Sequence, residues 1–312
     1  MKSYRFYGWE AARIRDSLGL TPCDYYDLLS GIWCEETCAP RMRKDWTIEN
    51  RTLGQCSITA FLIQDIYGGK VYGVPLGDGN FHCFNDVDGC VFDLTSEQFG
   101  DTRLDYANSP EQERTLHFAK AEKKERYELL KQRLFARRPA LVSITMEHLD
   151  RYGAIYAAAF SGPPWNDPWA EADAMIHVRE LLETKTAYGL EYVTDGKVVG
   201  FLLGTSMLFH YGRTFEINDL AVDPAYQGRG IASVLLERCK ADMKERGIVG
   251  LHLITSADGF LPAFYERHGF GREHEVILMG WKCERIAGAA RYAKANQTGA
   301  QTLGTRAREM IC

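Results

Sequence analysis

Two groups of residues in this 312-residue sequence have types and spacings that could do chemistry. The first is Gln227-Gly228-Arg229-Gly230-Ile231-Ala232, set between the strand-like run TFEINDLAV at 214–222 and a helical run that begins at Ile231. Glycines at 228 and 230 let the main chain bend tightly and admit a ligand with no β-carbon in the way. The opening N–H groups of a helix have no partners within it and sit at the positive end of its dipole, so this turn can hold a phosphate or pyrophosphate. Arg229 could add a charge-assisted contact to the same anion or stand solvated on the helix surface. The second group is Cys56, His82 and Asp93. A thiol near a helix start is biased toward thiolate, a nearby histidine can activate it, and a carboxylate can orient that histidine, which completes a set for attack on an acyl carbon. Gln55 is a candidate to meet the resulting oxyanion. A cysteine in an apolar helix and a histidine on a strand are also ordinary packing residues. Cys34, Cys38, Cys83 and Cys90 raise a metal site as a third option, but no paired Cys-x-x-Cys unit is present and no metal is expected.

These residues need elements to hold them. LGQCSITAFLIQDIYGG, at 53–69, predicts a helix with Cys56 near its start and a glycine pair at its end. KVYGV, FHCFN and CVFDL predict short strands, the last two joined by the turn DVDG, so His82 and Asp93 fall on neighbouring strands. In the second half, period-2 alternation along TFEINDLAV puts Glu216, Asn218, Leu220 and Val222 on one face and Asp219 on the other. Ile231, Val234, Leu235 and Met243 recur at helical spacing and mark the buried side of the following helix. The run from Pro110 to Arg138 is charge-rich and glycine-free, predicting one helix with Leu116, Ala119, Tyr127, Leu130 and Leu134 as its apolar positions, ended by Pro139. A domain boundary is drawn there. Residues 1–138 and 139–284 form the two expected domains, the second opened by the strand ALVSITM and closed by VILMGWKC, and 285–312 form a tail with no assigned function.

LAVDPAYQGRGIASVLL resembles the acetyl-coenzyme A signature of the GNAT superfamily of N-acetyltransferases: Gln227, Gly230 and Ala232 occupy its Gln/Arg, Gly and Gly/Ala places. LPAFYERHGF is similar to a segment near the end of that fold, and the resemblance spans residues 141–282. It implies an α/β (α+β) chain whose C-terminal GNAT fold has a mixed, mainly antiparallel sheet flanked by helices. It implies main-chain amides of Gln227, Gly228, Arg229, Gly230, Ile231 and Ala232 on the pyrophosphate of acetyl-CoA, and a strand edge at Leu220, Ala221 and Val222 paired with the pantetheine arm. Only a neutral amine can attack a thioester, so a base is required; the resemblance implies Glu216 in that role, with a structural or substrate-binding carboxylate as the alternative. It likewise implies Tyr265 as general acid to the departing thiolate. Asp258 stands where many relatives carry an asparagine, which puts that cofactor contact in doubt. The acceptor pocket belongs to the variable segment FSGPPWNDPWAEADAMIHVREL, where Trp165, Trp169, Asp167 and Asp173 make either an aromatic and acidic lip for a cationic amine or a packed loop.

The first half resembles the YunG family over residues 1–137, through Gln55-Cys56, Gln64-Asp65, Gly68-Gly69, His82, Asp93-Leu94-Thr95 and Gln98-Phe99. The order helix cysteine, strand histidine, next-strand aspartate also resembles transglutaminase-like and papain-like cysteine enzymes. A smaller α+β domain is therefore expected ahead of the acetyltransferase. It is read either as a cysteine hydrolase or acyltransferase using Cys56, His82 and Asp93, or as a substrate-binding or regulatory module.

Composition limits the alternatives. With 46% hydrophobic and 12% aromatic residues the chain is not intrinsically disordered. The 42 acidic against 37 basic side chains leave no general basic field, so nucleic acid is not expected as a partner. No apolar run approaches the ~20 residues that cross a bilayer, and the polar, aromatic start is unlike a signal peptide. Nine cysteines, an odd number scattered over a long chain, suit reduced thiols and a cytoplasmic location. The expected partner is a small-molecule or peptide amine acceptor, with a homodimer also admitted.

Overall fold

The protein is described from a computed structural model covering residues 3–77, 79–274 and 277–279. Residues Met1–Gly269 form one compact unit containing two sheets. The first region begins with α1 (Pro22–Ser30), whose Thr21 and Asp24 cap each other's backbone N–H groups. Helix α2 (Cys56–Tyr67) follows and stops at Gly68, which takes φ 76°, a left-handed value that a β-carbon disfavours. Ile58 through Ile63 are all buried, because α2 runs through the centre of the region with neighbours on every side. Against it lies an antiparallel sheet of β1 (Lys70–Pro75), β2 (Phe81–Val87) and β3 (Cys90–Phe92). Asp88 and Gly89, both at positive φ, make the tight β2–β3 turn. Asn85 Nδ2 donates to the Ala60 carbonyl at 2.8 Å and pins β2 to the helix.

The single helix expected from Pro110 to Arg138 is two pieces, α3 (Arg114–His117) and α4 (Ala121–Arg137). The break has a packing cause: the His117 and Phe118 rings both turn onto Phe61, with centroids 4.8 and 5.3 Å away. Leu116 is consequently exposed, and Ala119 sits in the exposed break, whereas Tyr127, Leu130 and Leu134 close the core as expected.

The second sheet has the order β4 (Ala140–Ser143), β5 (Ala187–Thr194), β6 (Lys197–Phe209), β7 (Gly212–Val222) and β8 (Gly250–Leu253), antiparallel except for the parallel β7–β8 pair. Helices α5 (Leu149–Ser161) and α6 (Glu171–Leu182) cover one face, sharing a core with Phe201, Leu203 and Ala221. Helix α7 (Ile231–Glu245) covers the other, with Ile231 against Gly200 and Asp242 accepting from the Tyr188 hydroxyl. The last described helix is α8 (Leu261–Arg267).

A β-bulge in β7 alters the expected face assignment. Leu203 pairs with Asp219 and Gly204 with Ile217, so Asn218 is the extra residue. Facing residues share a side of the sheet, and so do residues two apart on β6. Glu216, opposite Thr205, therefore faces the same way as Asp219, opposite Leu203, while Leu220 and Val222 face the other way. The alternation read from TFEINDLAV is corrected accordingly. Of the closing strand expected at VILMGWKC only 277–279 are described, and they carry no strand; its remainder and the tail 285–312 lie outside the described residues.

Candidate active site

Strand β7 is paired with β6 as far as Val222 but with β8 only from Thr214 to Ile217. Its edge from Asn218 to Val222 therefore lacks a strand on the β8 side, and the open stretch leads into the turn before α7. Asp223 caps that turn by accepting from Ala225 N at 2.9 Å, and Gln227 Nε2 donates to the Val222 carbonyl at 3.0 Å, tying turn to strand end. Gly228 and Gly230 take φ 74° and 82°, conformations that side chains resist, and a β-carbon on either would meet nothing within 4 Å. No side chain caps the α7 N-terminus. An extended edge ending at an uncapped, glycine-lined helix start fits a pantetheine arm followed by a pyrophosphate. Arg229 is the exception in the turn: its guanidinium folds back over the Tyr226 ring and donates to the Ala225 carbonyl.

Glu216 is half-buried and forms no ion pair among the described residues, with Thr205 beside it on β6 and His252 on β8. Tyr265 lies in α8, which is held against the first turns of α7 by His268: its ring nitrogens meet Ser233 at 3.0 Å and Glu237 at 2.7 Å, and its carbonyl accepts from Lys240. Burial pushes the Tyr265 phenol up to about 12, so it stays protonated at neutral pH. Asp258 sits in the exposed bend before α8. Trp169 packs on Tyr156 and His177, and Trp165 on Phe160, and both indoles are half-buried in the α5–α6 connection.

Two polar groups were not legible in the sequence. Asp219 is buried and accepts from His177 at 3.0 Å and from Tyr156, and this pairing raises the His177 imidazole. Glu191, buried on β5, accepts from Tyr152 and lies 3.0 Å from His148 Nδ1. Their members come from segments far apart in the chain, and no local spacing announces them.

The first region brings Cys56, His82 and Asp93 together. Cys56 is the first residue of α2, and Cys83 and His82 lie beside its thiol. His82 Nε2 is 2.5 Å from Asp93 Oδ2, with both side chains 1% exposed. Asp93 Oδ1 accepts from Thr95 N at 2.9 Å and Thr95 Oγ1 at 3.0 Å, and its Oδ2 also accepts from Tyr106 at 2.9 Å. Gln55 sends its side-chain nitrogen to the Cys34 carbonyl, leaving Oε1 buried without a partner. The neighbouring Cys83 holds the Cys56 thiol well below its ordinary value against the opposing effect of burial, and His82 adds to the lowering. Burial would depress the His82 imidazolium, but Asp93 and Cys56 reverse that and raise it to about 10. Among the described residues no group of three His, Cys, Asp or Glu side chains could hold a metal.

The second sheet and its glycine turn define an acetyl-CoA-dependent acyltransferase fold. The Acetyltransferase (GNAT) family model matches residues 149–270, and the YunG protein model matches residues 21–138. The chain is 30% identical over 161 residues to N-alpha-acetyltransferase RimI of Mycobacterium tuberculosis, covering 50% of this chain and 91% of the relative. It is 40% identical over 65 residues to uncharacterized protein YunG of Bacillus subtilis, covering 21% of this chain and 55% of that protein, about half its length. A solved structure of a possible acetyltransferase from Clostridium difficile 630 aligns at TM-score 0.42 and 19% identity, covering 46% of this chain and 97% of that one. The chain belongs to the GNAT acetyltransferase family, and ahead of that region residues 21–138 match the YunG protein model.

Proposed function

We propose that this protein transfers an acetyl group to a primary amine of a small molecule or peptide by direct attack, with residues 139–284 as the transferase domain. Acetyl-CoA, when bound, supplies the acetyl group as an activated thioester. Main-chain amides from Gln227 to Ala232 hold its pyrophosphate, and the edge at Leu220, Ala221 and Val222 aligns the arm that leads to it. Glu216 takes the proton from the amine, and the Tyr265 hydroxyl gives one to the departing sulfur. A positioned acid and base matter here because an ammonium has no lone pair and a thiolate leaves more easily once protonated. RimI is named for α-amine acetylation, which makes a peptide N-terminus the first acceptor class to test. Free thiols at all seven described cysteines suit a reducing compartment such as the cytoplasm.

The observation that carries this reading is the continuity of the unpaired β7 edge with the uncapped N-terminus of α7. Titration calorimetry with acetyl-CoA tests it. Gly230→Val puts a branched side chain into the open turn at a left-handed φ and is expected to abolish binding, while the fold, followed by circular dichroism, is retained. Unchanged affinity in that variant refutes the placement. A panel of amines followed by release of free coenzyme A thiol then identifies the acceptor.

A further inference from the structure

Helix α2 presents Cys56 at its uncapped N-terminus, where the Cys56, Ser57 and Ile58 N–H groups lie ahead of the first intrahelical bond, made by Thr59 N to the Gln55 carbonyl. His82 lies beside the thiol; its Nε2 is 2.5 Å from Asp93 Oδ2 and its Nδ1 meets Gln98 Nε2 at 3.3 Å. Asp93 in turn is fixed by Thr95 and Tyr106, so a buried, hydrogen-bonded His82–Asp93 pair stands beside a half-buried cysteine. A carboxylate used only to fill a core would have no need of a histidine aimed at a thiol. The other charged or titratable groups facing Cys56 are Cys83 on β2, His117 on α3, and Lys123 and Arg126 on α4. The two cations favour an anionic sulfur, and they would equally favour an oxyanion formed beside it.

We propose that the YunG region carries a second active centre, in which Cys56 attacks the carbonyl carbon of a carboxylic ester or amide, His82 carries the proton and Asp93 holds His82 in position. In the first step the Cys56 sulfur forms a bond to the carbonyl carbon and the carbonyl π electrons move to oxygen. Collapse breaks the bond to the alkoxide or amine, and that group leaves with the proton from His82. Water then adds to the resulting thioester while His82 takes a proton back; collapse releases the carboxylic acid and returns the thiolate. The net reaction is hydrolysis, with water as the only co-reactant. Cys56 and His82 are the catalytic residues, and Asp93 is a positioning residue. This centre is independent of acetyl transfer, and neither reading falls with the other.

The test uses the full chain. Iodoacetamide labelling of the wild type, read peptide by peptide in a mass spectrometer, is expected to modify Cys56 roughly tenfold faster at about pH 6 than the same cysteine in the urea-denatured chain. The rate should hold level from mildly acidic to neutral pH, since the thiolate persists there only while paired with His82. In His82→Ala that acid-side reactivity is lost, and in Asp93→Asn the pH profile moves upward while labelling of Cys90 and the far-UV circular dichroism stay as in the wild type. Nitrophenyl acetate should give a burst of nitrophenolate equal to the enzyme present, with an acetyl group on Cys56 that slowly hydrolyses; Cys56→Ser removes the burst. Wild-type Cys56 that is alkylated no faster when folded than when denatured, or that takes no acetyl group from the ester, overturns the proposal without recourse to any variant.

Discussion

At the scale of single residues, the proposed acetyl transfer turns on which carboxylate meets the amine. Glu216 and Asp219 share a sheet face, and their surroundings separate their roles. Asp219 is committed to His177 and Tyr156 within a buried cluster, so its charge is spent on holding α5 and α6 to the sheet. Glu216 is half-buried and keeps its lone pairs for another partner. Glu216→Gln keeps the shape and removes the basicity, and it is expected to lower kcat for amine acetylation by about 10² or more while leaving acetyl-CoA affinity unchanged. Steady-state thiol release beside binding calorimetry measures both. An equal loss of kcat in Asp219→Asn with full activity in Glu216→Gln would reassign the base to the Asp219–His177 pair.

At the scale of elements, the bulge in β7 shapes the proposed site. Asn218 is inserted where β7 parts from β8, and the extra residue brings Glu216 onto the face of Asp219 while Phe215 and Ile217 turn toward α7. Gly204 makes room for this: a β-carbon there would come within 2.2 Å of the Glu216 carbonyl oxygen and 2.4 Å of the Phe215 ring. Gly204→Ala should therefore cost about 1–3 kcal/mol by overpacking. It should also lower acetylation, because the strand can relieve the clash only by moving Glu216. Thermal melts and kcat, compared with a distant surface variant, check the two effects together. The bulge also marks where sequence reading stopped. Glycine turns, the DVDG hairpin and the apolar run of α2 were legible because each writes its conformation into a few adjacent residues. A one-residue insertion in a strand changes no local preference; it is decided by Gly204 across the sheet, so strict alternation placed Asp219 on the wrong face. The break between α3 and α4 was hidden for the same reason, since it depends on the contact of His117 and Phe118 with Phe61. The cysteine, histidine and aspartate were legible as types, but Tyr106 and Thr95, which hold the aspartate, became visible only through the fold.

At the scale of the whole molecule, the two regions touch: Tyr192 on β5 reaches the Leu18 carbonyl at 3.3 Å, and Val234 on α7 lies against Gly19. The core around α2 and the core beneath α5 and α6 are nevertheless separate. Every residue of the first core falls between Phe6 and Leu134, and every residue of the α5–α6 core between Leu149 and Ala221. Since burial of apolar surface is the main source of stability, a region that keeps its whole core keeps most of its folding energy when cut from its neighbour. Fragments 1–138 and 139–312, expressed separately, are therefore expected each to melt in a cooperative transition, the second losing contacts such as those made by Tyr192 and Val234. The same fragments separate the two chemistries: 139–312 should bind acetyl-CoA as the full chain does, and 1–138 should retain the fast alkylation of Cys56. A fragment 1–138 that fails to fold alone would move the boundary away from Pro139 and make the YunG region dependent on the acetyltransferase. Acetylation by 139–312 that falls for one class of amine but not for others would instead show that the first region helps to select the acceptor.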